Sequence, residues 1–153
     1  MSVAFRRESD EEHLEPRFEL PIPPGPNLVT ARGLQLLEAK VAELEAALPA
    51  LSEEDQRKAH LRDLRYWRTR LVTAELTEPR ADGKVGFGSR VEFLLNGKPR
   101  TIAIVGHDEA DPASGHIAFS APLARALIGA EVGDLLDFGG TNAAIEVVAI
   151  SLD

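Results

Sequence analysis

Two short runs of carboxylates are the residues of this chain whose types and spacing best suit chemistry. The first run places Asp108, Glu109 and Asp111 within the segment GHDEADP, directly after an apolar stretch. Clustered carboxylate oxygens are the ligands that hard cations such as Mg²⁺ prefer, so this loop has the composition of a cation site. The same cluster also fits a solvated or structural loop, and that is the interpretation we adopt.

The second run comprises Glu53, Glu54 and Asp55, which follow Pro49 and Ser52 at a position where a helix is predicted to begin. Acidic side chains stabilise the first turn of a helix because the N-terminus carries partial positive charge. The run is therefore explained by helix stability alone.

The remaining candidate sites are weak. His107 and His116 flank the first carboxylate run, but they lack a third ligand at a spacing typical of zinc sites. Gly86 and Gly88 are not followed by the further glycine or lysine of a phosphate-binding loop. With no cysteine in the chain, a thiolate metal site or thiol nucleophile is excluded. We predict no cofactor, no bound metal and no catalytic residue.

Two helices are predicted between residues 30 and 78. Thr30 is a suitable N-cap for the first, Pro49 stops it, and Ser52 with Asp55 can cap the second. A link this short requires antiparallel packing, so we expect a helical hairpin. Each helix carries one apolar stripe at intervals of three and four residues, formed by Leu34, Leu37, Val41, Leu44 and Leu48 and by Leu64, Trp67, Leu71 and Ala74.

After residue 83 the apolar residues change to the alternating period of β-strands. Asn96-Gly97 offers the positive φ angles of a tight hairpin turn. A short helix is expected after Ser120, which can cap it, with Pro122 in its first turn and Gly129 at its end. The fold class is thus α+β, an antiparallel sheet with one short helix. The alternating apolar residues of the first three predicted strands are Val85 and Phe87, then Val91 and Phe93, then Ile102 and Ile104. Further strands are expected at 117–119, 135–138 and 143–150.

Residues 1–26 differ in composition from the rest and end in the sequence PIPPGP. Prolines remove backbone donors and forbid a helix, and this stretch is also rich in acidic residues, so we predict a flexible or polyproline-like leader. An alternative is that a short peptide around Phe18 to Ile22 folds back onto the body of the protein or onto a partner.

Composition limits the functional class. The chain has 153 residues, no cysteine and a net charge of −8. No apolar run approaches the roughly eighteen residues of a membrane span, and no secretory signal is visible, so the default location is the cytoplasm. The negative charge disfavours nucleic-acid binding through general electrostatics. A protein partner, or nucleic acid met within a complex, is expected.

Three sequence blocks carry a resemblance to a known family. GKVGFGSRVEF, TIAIVGHDEAD and IAFSAPLARALIGAEVGD, in this order, resemble the C-terminal domain of the bacterial GreA/GreB transcript-cleavage factors. The resemblance covers nearly the whole chain after Pro26 and implies an FKBP-like C-terminal domain at residues 80–153 and a helical hairpin at 27–79, to which the leader at 1–26 is added. It also implies a non-enzymatic factor that docks on bacterial RNA polymerase and inserts the hairpin into its secondary channel.

The resemblance points to two groups of site residues. Ser120, Ala121 and Pro122 occupy the stretch where the family's globular domain meets the polymerase, with Ala121-Pro122 in place of Ser-Pro. At the hairpin tip, the segment 50–54 is the nearest match to the family's acidic DLSEN-type motif, with Ala50 in place of its aspartate. Glu53, Glu54 and Asp55 still supply carboxylates there.

The predicted hairpin is about two heptads shorter than is usual in the family. In this respect the chain is similar to the Rnk-type members, which also have a shortened hairpin. The leading hypothesis is therefore a polymerase-binding elongation or regulatory factor with a shortened hairpin. One alternative is an active stimulator of transcript cleavage that uses the tip carboxylates. Another is a Rnk-type interaction protein that regulates a different partner.

Overall fold

The computed structural model describes residues 19–153, which divide into two compact units. The first unit contains residues 19–25 and 37–73 of this range, and the second contains residues 26–36 and 74–153. Most of the predicted flexible leader, residues 1–18, lies outside the described residues. None of the helices formed by residues 19–153 is both long and apolar enough to cross a membrane.

Two helices dominate the first unit, although residues 31–36 of the first helix and its cap belong to the second unit. Helix α1 covers Ala31–Ala47, a 3-10 turn follows at Leu48–Ala50, and helix α2 covers Glu54–Val72. The Gly33 amide donates to Thr30 Oγ1 at 3.0 Å, so Thr30 caps α1 as predicted. Pro49 lies inside the 3-10 turn, where its missing amide proton is tolerated and the α-helix ends.

The helices pack antiparallel along their apolar stripes. Val41, Leu44 and Leu64 form a buried cluster, and Trp67 and Leu71 pack against it. Toward the turn, His60 Nε2 lies 2.6 Å from the Leu44 carbonyl oxygen. This confirms the predicted hairpin. Trp67 is half-buried, and Lys40 Nζ lies over its ring at 5.8 Å from the centroid.

The predicted cap of α2 is wrong by one residue. Glu53, rather than Ser52, is the N-cap, and its carboxylate accepts a hydrogen bond from the Gln56 amide at 2.8 Å. A carboxylate at this position both satisfies a free amide and complements the helix dipole, so it competes well against a neutral hydroxyl.

A five-stranded sheet and a short helix form most of the second unit. Its elements in chain order are β1 Leu28–Val29, β2 Glu75–Leu76, β3 Ser89–Leu95, β4 Lys98–Val105, β5 His116–Ala118, α3 Pro122–Leu127, β6 Leu135–Phe138 and β7 Thr141–Leu152. The large sheet has the order β5-β4-β3-β7-β6, and β1 and β2 form a separate parallel pair. The predicted α+β fold class is confirmed.

Local sequence explains the sheet's central hairpin. Asn96 and Gly97 both have positive φ angles, +53° and +83°, as the tight turn between β3 and β4 requires. Alternation along β3 buries Val91 and Phe93, which pack in the core with Ala124 and Leu127 of α3. The pair β4–β5 runs parallel, so the sheet is mixed rather than purely antiparallel.

Two local predictions in this unit are wrong. Residues 85–87 form no strand, because the Val85 amide and carbonyl bond to the Ala130 oxygen and the Gly129 amide instead. Ser120 does not cap α3: the N-cap is Ala121, with no side-chain capping bond. The Ser120 hydroxyl is engaged by His107.

Candidate partner-binding site

The segment 120–122 lies at the entry to α3. Ser120 and Pro122 are exposed and Ala121 is half-buried. The Ala121 carbonyl accepts the Arg125 amide at 2.9 Å, and Pro122 takes the first helical position, where a missing amide costs nothing. The segment is therefore held by backbone bonds that leave the Pro122 ring facing solvent.

His107, Phe119 and Phe87 form a cluster of rings next to this segment. His107 Nε2 lies 2.8 Å from Ser120 Oγ, and its ring stacks at a tilt on Phe119, with 5.0 Å between centroids. Phe119 in turn meets Phe87 edge to face at 5.7 Å. These contacts give the exposed residues a rigid base, which lowers the entropy lost when a partner binds.

Sequence reasoning missed three exposed aliphatic residues that follow Pro122. Ile128, Val132 and Leu135 retain 42%, 58% and 63% of their accessible surface. Together with Pro122 we call them the α3 surface. The run IGAEVGDLL gave little signal of this, because its apolar residues do not differ in type from buried ones and Leu135 was assigned to a strand. Such exposed apolar groups mark protein-interaction sites when they cluster.

The tip of the helical hairpin is closed by Arg57. Its guanidinium donates to the carbonyl oxygens of Leu48 and Leu51 at 3.3 and 3.1 Å. Leu48 opens the 3-10 turn and also accepts the Leu51 amide at 3.1 Å, and Leu51 directly follows the turn. The arginine therefore satisfies the turn's backbone and serves the fold of the tip.

The three tip carboxylates are not gathered into a metal-binding cluster. The Glu53 carboxylate caps α2, and Glu54 lies 3.5 Å from Lys58 in an exposed ion pair one turn along. Asp55 is exposed in the first turn of α2. Across residues 19–153, no group of three or more histidine, aspartate or glutamate side chains is arranged to hold a metal ion.

The loop with the first carboxylate run is built into the fold. Glu109 accepts from Thr30 Oγ1 at 2.5 Å and from Arg32 Nε at 2.6 Å, and its side chain is only 4% exposed. Asp111 accepts from the Ser114 hydroxyl at 2.7 Å. With these two carboxylates committed to protein donors, the structural interpretation of the loop is the better supported one.

Basic side chains on α2 are paired with acidic groups. Arg68 bonds to Glu45 of α1 at 2.8 Å, which is the cross-helix ion pairing expected of a charged two-helix coil. Arg65 makes two bonds to the Glu19 carboxylate, at 3.0 and 2.5 Å. Hydrogen bonding from Arg65 lowers the pKa of Glu19 below 4.5, the value of an unperturbed glutamate.

Comparison with known proteins identifies the class to which this fold and these motifs belong. Residues 80–152 match the family described as Transcription elongation factor, GreA/GreB, C-term. A GreA from Rhizobium leguminosarum bv. viciae is 38% identical over 114 residues, covering 72% of this chain and 70% of that protein. A GreA from Ralstonia nicotianae is 46% identical over 72 residues, covering 44% of this chain and 46% of that protein.

Among solved structures, a prokaryotic GreA/GreB from Nitrosomonas europaea aligns with 84% of this chain and 99% of its own, at 20% identity and a TM-score of 0.40. The chain belongs to the GreA/GreB transcription elongation factor family. The proteins of this family are elongation factors rather than enzymes in their own right.

Proposed function

We propose that this protein binds bacterial RNA polymerase in the cytoplasm through residues 80–153 and regulates transcription at the secondary channel. Family membership supports the partner, and the match over residues 80–152 is the observation that carries the proposal. The chain's net charge of −8 disfavours independent binding to a polyanion, so nucleic acid is met within the polymerase complex.

The polymerase contact in this proposal is centred on Ser120, Ala121 and Pro122 and continues over the α3 surface. Exposed apolar side chains on a rigid base suit the centre of a protein interface, where burial of apolar area supplies the driving force. Pro122 also has its conformation fixed before binding. This arrangement favours a protein partner over a small molecule.

The hairpin, in this proposal, occupies residues 27–79 and is too short for the cleavage chemistry associated with longer family members. Helix α1 has 17 residues and α2 has 19, which correspond to about 25 Å and about 28 Å at 1.5 Å per residue. Delivery of a second Mg²⁺ to an active site requires carboxylates at about 2 Å from the metal. In a hairpin that is two heptads shorter, the tip carboxylates would lie much farther than this from a metal in the active site.

The engagement of Glu53 also argues against cleavage. A carboxylate that holds the Gln56 amide would have to release its own helix cap before it could coordinate a metal. The second candidate function, active stimulation of transcript cleavage, is favoured by the exposure of Glu54 and Asp55 at the start of α2. These two side chains face solvent and need little rearrangement to meet a metal.

The docking proposal is tested with Pro122→Asp in the full chain, because an unpaired charge in an apolar contact weakens binding. Pro112→Asp is the matched control: Pro112 is also exposed and also opens a helical turn in the same unit. Pull-down on core RNA polymerase should show loss for Pro122→Asp and retention for Pro112→Asp, with circular dichroism confirming that both fold. Equal retention by both variants would remove this contact.

A further inference from the structure

The described end of the leader lies along α2 in the first unit. The two hydrogen bonds from Arg65 to Glu19 join residues that are 46 positions apart in the sequence. After Glu19, Leu20 is half-buried and Ile22 is 45% exposed. We call the segment Glu19–Ile22 the strap. This outcome agrees with the alternative in which a peptide near Phe18 to Ile22 folds back, for the four described residues of that peptide.

The surface beneath the strap combines charge with apolar area. Arg65, Tyr66, Arg68 and Thr69, which we call the Arg65–Thr69 face, line a cavity of about 370 Å³ together with Glu19, Leu20 and Ile22. The guanidinium of Arg65 presents a planar pair of donors that matches a carboxylate. The Tyr66 ring and the aliphatic stems of the arginines supply apolar contact beside it.

The strap has the properties of a ligand for such a face. Its sequence is Glu-Leu-Pro-Ile, followed by Pro23, Pro24 and a further proline at 26. Proline-rich segments are already extended before they bind, so docking them costs little conformational entropy. The Glu19 carboxylate fixes the position of the strap on Arg65, and Leu20 and Ile22 line the same cavity as Tyr66 and Thr69.

We propose that the Arg65–Thr69 face is a docking site for an extended acidic and aliphatic peptide, and that the strap of this same chain occupies it as an intramolecular ligand. The strap covers the face until it is displaced, so an outside partner with the same chemistry competes with residues 19–22. This inference does not depend on polymerase binding.

The composition of the site favours a peptide over a nucleic acid. A phosphate backbone is recognised mainly through its charge, whereas the cavity is lined by the aliphatic side chains of Leu20 and Ile22 as well as by the Glu19 carboxylate. Tyr66 is already in T-shaped contact with Trp67, with ring centroids 5.0 Å apart. Arg68 is already paired with Glu45, which further lowers the charge available to a polyanion.

The absence of cysteine from the chain permits a direct test. A nitroxide attached to Pro24→Cys, an exposed position, should broaden the NMR signals of Tyr66 and Thr69 in the full-length protein. Arg65→Glu should weaken that broadening, since loss of one exposed ion pair lowers the closed-to-open ratio about two- to fivefold and the like charge lowers it further. Lys58→Glu is the matched control, a basic residue of α2 outside the cavity.

The exchanged pair decides whether the contact is specific. Glu19→Arg combined with Arg65→Glu should restore the broadening that each single change weakens. Broadening that is absent in the parent protein, unchanged in Arg65→Glu, or not restored in the exchanged pair would overturn the proposal.

Competition identifies the chemistry of the outside partner. The free peptide ELPIPPG should release the tagged strap, and a version with glutamine in place of its glutamate should release it less. An oligothymidylate of equal charge should have a smaller effect than the first peptide. Stronger release by the oligothymidylate would show instead that the face serves nucleic acid, and would overturn the assignment to a peptide.

Discussion

Thr30 donates its hydroxyl to the Glu109 carboxylate at 2.5 Å across 79 positions of sequence, while the same oxygen accepts the Gly33 amide at 3.0 Å. One side chain therefore caps α1 and ties its first turn to the loop after β4. Arg32 adds a charged bond to the second oxygen of Glu109. The carboxylate is buried with both oxygens satisfied, the arrangement in which a charged hydrogen bond contributes most.

Replacement of Glu109 by alanine should destabilise the protein by about 2 kcal/mol, because the charged bonds to Thr30 and Arg32 are lost together. Glu92→Ala, an exposed glutamate of β3, should change stability by less than about 0.5 kcal/mol. Urea denaturation measures both values. In a double-mutant cycle with Thr30→Val the two losses should not add; strict additivity would mean that the hydroxyl and the carboxylate are uncoupled.

Gly106 permits the close approach of this loop to β1. A Cβ atom added at Gly106 would lie 2.3 Å from the Leu28 carbonyl oxygen, a backbone atom that cannot turn away. Gly106→Ala should therefore cost about 1–3 kcal/mol through overpacking. Gly86→Ala is the control, since a Cβ there meets nothing within 4 Å. Thermal melts of the two variants that coincide would contradict this account of the contact.

The docking of the strap on the Arg65–Thr69 face should weaken at low pH. The pKa of Glu19 is lowered below 4.5 by the Arg65 hydrogen bond, with Arg62 adding attraction, and Arg68 also lines the cavity. The pairing is therefore present above pH 4.5 and is lost as the pH falls through the depressed pKa. Broadening of the Tyr66 signal by the Pro24 tag should fade below pH 4.5. It should be weak and nearly independent of pH in Glu19→Gln; identical pH profiles would exclude Glu19 as the titrating group.

Local sequence rules predicted much of the fold because the relevant partners lie within a few residues. The Thr30 cap, the stop at Pro49 and the Asn96-Gly97 turn each depend on neighbours in the chain. Ser52 and Ser120 were assigned wrongly as caps for a different reason. A competing carboxylate at Glu53 replaced the first, and His107, brought near by folding, took the hydroxyl of the second.

Long-range contacts explain what the sequence did not reveal about the candidate sites. The role of Glu109 depends on Thr30 and Arg32, which lie 79 and 77 positions away, so the carboxylate run looked like a possible cation site. Val132 and Leu135 are exposed in the folded protein, which the sequence did not reveal because apolar residues in sequence carry no mark of exposure. The site residues themselves remain predictions that binding experiments must test.

The central claim is that this chain acts on RNA polymerase without supplying the carboxylates for transcript cleavage. The most direct measurement adds the protein to a halted, backtracked elongation complex with a 3′-labelled transcript, with and without an active GreA. The account predicts no rapid release of short labelled fragments by this protein alone, and a concentration-dependent slowing of the release that GreA promotes. Rapid release that disappears in the Glu53→Ala, Glu54→Ala, Asp55→Ala triple variant, or no effect on GreA at any concentration, would contradict it.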